Sequence, residues 1–458
     1  MKVWSYVMKT YQEQKLLPFW KRLISGSTNR KILAAAITVG LGTLFVKLGT
    51  VAKELVIAWK FGTTDALDAF LIALVVPSFL ITVVAGSFNA AFIPTYIKVR
   101  EQQGLREAQR LFSGASAWSL GLLVVTTIIM LAIAPIYLPF MAAGFSAEKL
   151  DLAFKLLWAI APLITISGII VIWGAVLNAG ERFALASLTP ILAPSITIAL
   201  LFGLNLGIFA LVIGLIGGAI LELSFLGFAL RRQGMLLLPK LYRFDTHLLQ
   251  VASQYVPAMT GSFLMCSTIL VDQTMAAMFA PGSVSALNYG NKLIALPISL
   301  TTTALSTAVI PYFSKMVACQ DWVGIRHTLQ RYMWLIFIVT IPITIVFISF
   351  SETIVKIVFQ RGSFTTNDTF IVAHIQSLYA LQIPFYLAAD FLVRLVSSMH
   401  LNQSLIYLSS CNLIINITLN YLFTSWIGIQ GIALSTSCVY LFAWTYLFIF
   451  ISKKIKNK

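Results

Sequence analysis

Eight charged residues fall inside long apolar stretches of this 458-residue chain: Lys47, Lys53, Glu54, Glu222, Asp272, Lys292, Asp390 and Arg394. A charge at the centre of a bilayer costs at least about 2.5–3.5 kcal/mol on the insertion scale, so such residues face a partner, a protein interior or a water-filled cavity. Lys47 and Glu54 are seven apart and share a helical face, whereas Lys53 points about 120° away on a regular helix. Gly40, Gly42 and Gly49 permit a bend that brings both lysines to one cavity. Two lysines and one acid leave a surplus positive charge, which favours an anion-binding cavity over a self-neutralised Lys–Glu pair. Lys292, in Asn288-Tyr289-Gly290-Asn291-Lys292, has no acid within four residues. It predicts a second anion contact, with snorkelling to the interface as the alternative. Asp390 and Arg394 stand at i, i+4, acid first, the favourable order for a structural ion pair, with gating as the other role. Asp272 and Glu222 are candidates to bind a coupling proton or cation, or to pair with one of the lysines. The sequence leaves that choice open.

No phosphate-binding GxxxxGK[ST], HExxH or nucleophile-elbow pattern occurs, so an ATP-driven or hydrolytic enzyme has no support and no metal or cofactor is expected. The four cysteines show no CxxC spacing, and three of them, Cys266, Cys411 and Cys438, lie in apolar runs as small hydrophobes.

The elements that must position these charges follow from composition. Hydrophobic residues make up 59% of the chain and charged residues 10%, against about 45–50% and 25% in soluble domains. That excludes a soluble enzyme, a disordered chain and a disulfide-rich secreted domain. Roughly 270 apolar residues supply about a dozen spans of about 20 residues each. Twelve apolar runs are read at roughly 32–58, 68–96, 117–143, 152–177, 184–204, 207–230, 248–279, 285–312, 333–358, 370–398, 404–424 and 427–452. The predicted class is an all-α polytopic membrane protein.

Lys and Arg outnumber Asp and Glu by 32 to 16. With the N-terminus in the cytoplasm, the inside tails and connections hold 23 of the 32 and the outside connections only a few. Both termini are therefore predicted to be cytoplasmic. The excess positive charge points to an anionic lipid surface and not to nucleic acid. The first 31 residues are basic and aromatic without an apolar signal core, either an interfacial segment or a solvated tail.

An internal repeat is visible. Gly62 and Pro77 recur 220 residues on as Gly282 and Pro297, Phe92-Ile93-Pro94-Thr95-Tyr96 resembles Val309-Ile310-Pro311-Tyr312-Phe313, and Gly207 matches Gly428. Six helices per half is an even number, so both halves insert the same way up. This predicts two six-helix bundles related by a pseudo-two-fold axis along the membrane normal, around a central cavity that opens alternately to each side. The expected divisions are a basic segment at 1–31, bundles at 32–230 and 247–452, a cytoplasmic linker at 231–246 and a basic tail at 453–458.

Between about residues 34 and 452 the chain resembles the MurJ/MviN family of lipid II flippases, in the multidrug/oligosaccharidyl-lipid/polysaccharide exporter superfamily. The resemblance rests on Lys47, Lys53-Glu54, Phe61-Gly62, Leu67-Asp68-Ala69-Phe70, Pro77 and Ala91-Phe92-Ile93-Pro94. It continues at Asn288-Tyr289-Gly290-Asn291-Lys292-Leu293 and Phe359-Gln360-Arg361-Gly362-Ser363-Phe364. The family's diphosphate-binding arginines correspond to Lys47, Lys53 and Lys292. Its corner aspartate is Asp68, and the position beside its eighth-helix arginine is Asn291. Lysine keeps the charge but loses the bidentate fork. A helix 2 arginine pair of the family falls at Ile81-Thr82, and the sequence stops after the twelfth run where the family has two more. The resemblance therefore implies a flippase that moves a lipid-linked anionic glycan, lipid II or a related polysaccharide precursor, from the inner to the outer leaflet of the bacterial inner membrane. Its surroundings would be membrane lipids and glycan-synthesis enzymes. The rival readings are a cation-coupled exporter of small molecules on the same fold, relying on Asp272, Glu222 or Asp390, and a non-transporting scaffold for envelope assembly.

The charge bias generates a topology test. Single cysteines placed at Arg106 and Arg232 in a cysteine-free background should label with a membrane-impermeant maleimide only after the cells are opened. Labelling of both in intact cells would invert the orientation.

Overall fold

A computed structural model describes residues 28–180, 183–235, 237, 246–399 and 401–456. The basic segment assigned to 1–31 therefore falls mostly outside the described residues, as does most of the linker.

Among the described residues twelve long helices run in order, with a short helix at Ser351–Phe359 before the tenth: α1 (Thr28–Phe61), α2 (Asp65–Gln103), α3 (Leu105–Met141), α4 (Ala147–Ala179), α5 (Leu185–Gly203), α6 (Phe209–Arg232), α7 (Thr246–Ala276), α8 (Ser283–Ala318), α9 (Trp322–Ser349), α10 (Thr366–Ser398), α11 (Asn402–Ile427) and α12 (Gln430–Lys456). Ten of them, all but α1 and α8, are long and apolar enough by composition to cross a membrane. In hydrocarbon the backbone must satisfy its own hydrogen bonds, which is why every apolar run has become a helix. Proline inside α2, α3, α7 and α9 is carried because neighbouring helices accommodate the freed carbonyls. Beyond Pro77, α2 loosens into a π-turn at Ile81–Gly86 before resuming as an α-helix.

Helices α1–α6 and α8–α12 pack as two bundles, and α7 bridges them. Its first half lies on α2 and α3 within an apolar cluster that holds Phe88, Phe92, Tyr96, Phe112, Leu248 and Val251. Its last half lies on α11. The α1–α2, α3–α4, α7–α8 and α9–α10 connections gather at one end of the molecule, here the corner face. There Gly62 and Gly282 take positive φ, at +54° and +86°, and each backbone approaches the opposite bundle too closely for a Cβ. The repeat seen in the sequence thus marks two of the places where the bundles touch.

Within the first bundle, α5 and α6 approach through Gly218, where a Cβ would collide with Ala193. Gly218→Val should lower the stability of the detergent-purified protein by about 1–3 kcal/mol, as overpacking does, and lower its melting temperature. Gly121→Val, at a position with open space around it, should leave the melting temperature unchanged. Equal effects would remove the packing explanation.

Candidate functional site: a cationic cavity under an interbundle latch

Between the bundles, α1, α2, α5, α6 and α8 line a cavity of about 70 Å³. Lys53 and Glu54 of α1 and Lys292 of α8 are its charged lining residues, joined by Ser285, Asn288 and Tyr289 of α8. The Lys53 Nζ lies 3.0 Å from one Glu54 carboxylate oxygen, and Lys292 donates to the other. Two ammonium groups thus share one carboxylate and leave one net positive charge facing the cavity. Lys292, its side chain 37% exposed, is the more open of the two. Both lysines reach the same acid although adjacent residues on a helix diverge, because Lys53 folds back along its long stem.

The cavity is shut on the corner face. Asp68 of α2 is 1% exposed and makes four contacts. Its Oδ2 accepts from Lys149 Nζ and from the Gly282 backbone N–H, each at 2.8 Å. Its Oδ1 accepts from the Ser285 backbone N–H at 2.8 Å and the Ser285 hydroxyl at 2.7 Å. A carboxylate of one bundle therefore caps the first turn of α8 in the other. Helix N-termini present unpaired N–H groups and a partial positive charge, so the placement is electrostatically favourable. Lys149 also binds Asp65 at 2.6 Å. A second set of contacts lies beside it. The Thr63 hydroxyl donates to Asp368 at 2.5 Å, the Ser363 N–H to the Trp59 carbonyl at 2.9 Å, and the Tyr289 hydroxyl to the Gly62 carbonyl at 3.2 Å. Asp368 also completes a capping box with Thr365 at the start of α10. Toward the opposite end, α2 and α7 are held by Ser87–Ser262 at 3.0 Å and by the Tyr255 hydroxyl on the π-turn carbonyl of Val84 at 3.3 Å.

The remaining sequence candidates separate. Lys47 is exposed, two turns along α1 from Glu54, and is not part of the lining of this cavity. Asn291 is exposed and also outside the lining. The amide that faces the cavity is Asn288, one turn earlier on the face of Lys292. Asp68, expected beside the substrate, spends all four of its acceptor positions on the protein, so in this conformation it serves the latch. Asp390 and Arg394 form a bidentate pair at 2.7–3.0 Å on α10. Glu222 accepts from Thr189 at 3.2 Å inside the first bundle and joins none of the lysines in an ion pair among the described residues. Asp272 is held inside the second bundle by the amides of Asn416 at 3.1 Å and Asn420 at 2.7 Å. Sequence reading missed Lys149. It looked like one more charge in a polar connection, and its partner lies 81 residues away.

Comparison with known proteins decides the family. The sequence profile of the lipid II flippase MurJ family matches residues 57–458. The chain belongs to that family. A probable lipid II flippase MurJ of Synechocystis is 27% identical over 94% of this chain and 83% of its own length. That of Thermotoga maritima is 26% identical over 89% and 83%. A solved lipid II flippase MurJ in an inward closed conformation superposes with a TM-score of 0.79 at 24% identity, over 91% of this chain and 87% of that one. An inward-facing multidrug resistance transporter of the MATE family gives 0.75 at 11% identity, over 91% and 98%. The two-bundle architecture expected from the repeat is the fold these transporters share.

The latch yields a prediction. Asp68→Asn keeps the shape but removes the charge opposite Lys149. The α8 cap and one of the two partners of Lys149 are weakened, and because Asp65 remains the cost falls below the about 3–5 kcal/mol of a buried charge left unmatched. Hydrogen exchange at residues 62–68 and 280–286 should therefore quicken together, and protection unchanged in both segments would show that the carboxylate does not hold the face closed.

Proposed function

We propose that this chain is a flippase that carries a polyprenyl-diphosphate-linked glycan, lipid II or a close relative, across the membrane by alternating access. The observation that carries the reading is the pair Lys53 and Lys292. One lysine comes from each bundle, and they converge on one acid in a cavity between the bundles. A diphosphate entering there competes with Glu54 for both ammonium groups, so its binding draws on both bundles at once. A site that bridges two moving bodies is what lets the substrate bias their relative position. Family membership supports this reading over a small-molecule exporter or a passive scaffold.

The charge bias of the tails and connections supports placing the corner face outside and both termini in the cytoplasm. The latched corner face then makes this a state closed to the outside, and release outward requires the Asp68 and Thr63–Asp368 contacts to part. Lys47 stands along α1 on the inner side of the cavity and serves as an approach charge. Asp390–Arg394 holds α10 together. Glu222 is a polar anchor between α5 and α6.

No nucleotide motif is present, so the energy comes from the membrane potential, an ion gradient or downstream consumption of the substrate. A potential negative inside favours outward movement of an anion by about 2.3 kcal/mol per charge per 100 mV. Asp272 is the coupling candidate, because it is a carboxylate in the second bundle with amide and hydroxyl partners and no cation beside it among the described residues.

In reconstituted vesicles, Lys292→Gln should reduce flipping at least tenfold while leaving yield and melting temperature intact, and Lys292→Arg should restore most of it. Full flipping by both Lys53→Gln and Lys292→Gln would remove the diphosphate site. Collapse of the potential with valinomycin and potassium should slow the unaltered protein. Unchanged flipping under that treatment, with a loss in Asp272→Asn, would assign the driving force to cation coupling.

A further inference from the structure

A second cavity, of about 200 Å³, lies against the first. The two share Leu71, Leu74 and Asn288, so they form one space with two compartments. The second is walled by α2 and α7 and has no charged lining residue. Its surface is apolar apart from Ser78, Thr82, Cys266, Gln273 and Asn288. Two amides therefore face it, and neither has a hydrogen-bond partner among the described residues. The Oε1 of Gln273 is buried and unpaired. Unpaired buried amides are uncommon in folded proteins, because each carries the full desolvation cost of its polar atoms. An apolar wall with a few convergent polar groups is the usual form of a small-molecule site.

We propose that this compartment is the subsite for the first sugar ring of the substrate, with Gln273 and Asn288 as its specificity-determining residues. The proposal rests on the diphosphate reading of the cavity beside it. A diphosphate held by Lys53 and Lys292 carries its sugar on one phosphorus and its prenyl chain on the other, and the space past Asn288 is open to one of the two. The amides choose the sugar. A hydrocarbon chain there would leave both without partners, whereas ring hydroxyls or an acetamido group satisfy donor and acceptor alike. Phe79 lines the compartment and packs edge-on to Phe263 with centroids 5.5 Å apart. It offers an aromatic face to the C–H side of a ring. The prenyl chain has no open way out in this direction, since α2 and α7 close on each other at Ser87–Ser262 and at Phe88–Tyr255. Asn288 sits at the junction of the compartments, where the sugar–phosphate bond would lie.

The test uses the full chain in detergent, titrated with two probes: undecaprenyl diphosphate, and the same lipid bearing one N-acetylated hexosamine. Gln273→Leu and Asn288→Ala should each weaken the glycosylated lipid roughly tenfold, the scale of one or two lost hydrogen bonds. For Gln273→Leu, which lies outside the cationic cavity, affinity for the bare diphosphate should stay within twofold. Gln273→Leu should also keep or raise the melting temperature, because it removes an unpaired buried amide. Unchanged binding of the glycosylated lipid by both variants would overturn the subsite. An equal fall for both probes would assign the amides to the fold or the diphosphate, and a fall for the bare lipid alone would make the compartment a tail site, each overturning the proposal. If the unaltered protein binds undecaprenyl diphosphate no better than a Lys53→Gln, Lys292→Gln double variant, the diphosphate reading itself fails and this proposal goes with it.

Discussion

The closed state depends on one buried carboxylate. Helix α8 begins directly after Gly282 and has no acid in its own first turn, so its leading N–H groups need an acceptor from elsewhere. Asp68 supplies it from the other bundle. Asp68 is itself almost wholly buried, and a carboxylate in that position needs compensation. Lys149 provides the opposite charge. Asp68 serves both the α8 N-terminus and Lys149, which Asp65 also binds. The bundles separate at this face only if the α8 N-terminus and the Asp68 carboxylate lose each other in the same step, while Lys149 stays with Asp68 in the first bundle. Partial opening leaves at least one of them bare, which makes the contact behave as open or closed with little between.

The cationic cavity lies directly beneath, and its position follows from the same contact. Ser285 takes part in the latch, while Asn288 and Lys292, on the following turns of the same helix, line the cavity. A rigid helix transmits a change at its first turn to the residues one and two turns on. Glu54 keeps Lys53 and Lys292 together when no anion is present, since two bare ammonium groups would repel across a poorly solvated space. Under the proposed reading a diphosphate competes with Glu54 for the same two cations.

Helix α7 has the opposite task. It touches both bundles, through the π-turn of α2 at one end and the polar cage around Asp272 at the other. A helix that bridges both bodies in this way joins the polar surroundings of Asp272 to the seam with α2. The looser hydrogen bonding of a π-turn makes that seam the more adaptable part of α2.

Much of this architecture was legible in the residues themselves. Hydrocarbon forces apolar runs into helices, so composition alone determined the class, and the distribution of Lys and Arg carried an orientation. The repeat of Gly62 and Gly282 marked the corners because only glycine tolerates that backbone at a close approach. Charges in apolar runs pointed to Lys53, Glu54 and Lys292 because their burial has to be explained. The partners were decided by tertiary structure alone. Lys149 and Asp68 are 81 residues apart, and Lys292 and Glu54 are 238 apart, and no local pattern encodes such pairings. Rotation about the helix axis selected Asn288 over Asn291, since three residues along a helix decide whether a side chain meets a cavity or turns from it, and distance along α1 set Lys47 apart from the cavity. The sequence by itself determined which residues must be accounted for. The packing of the two bundles determined which of them join the bundles at the corner face and which line the cavity, because that depends on where two helices distant in the chain come to lie against each other.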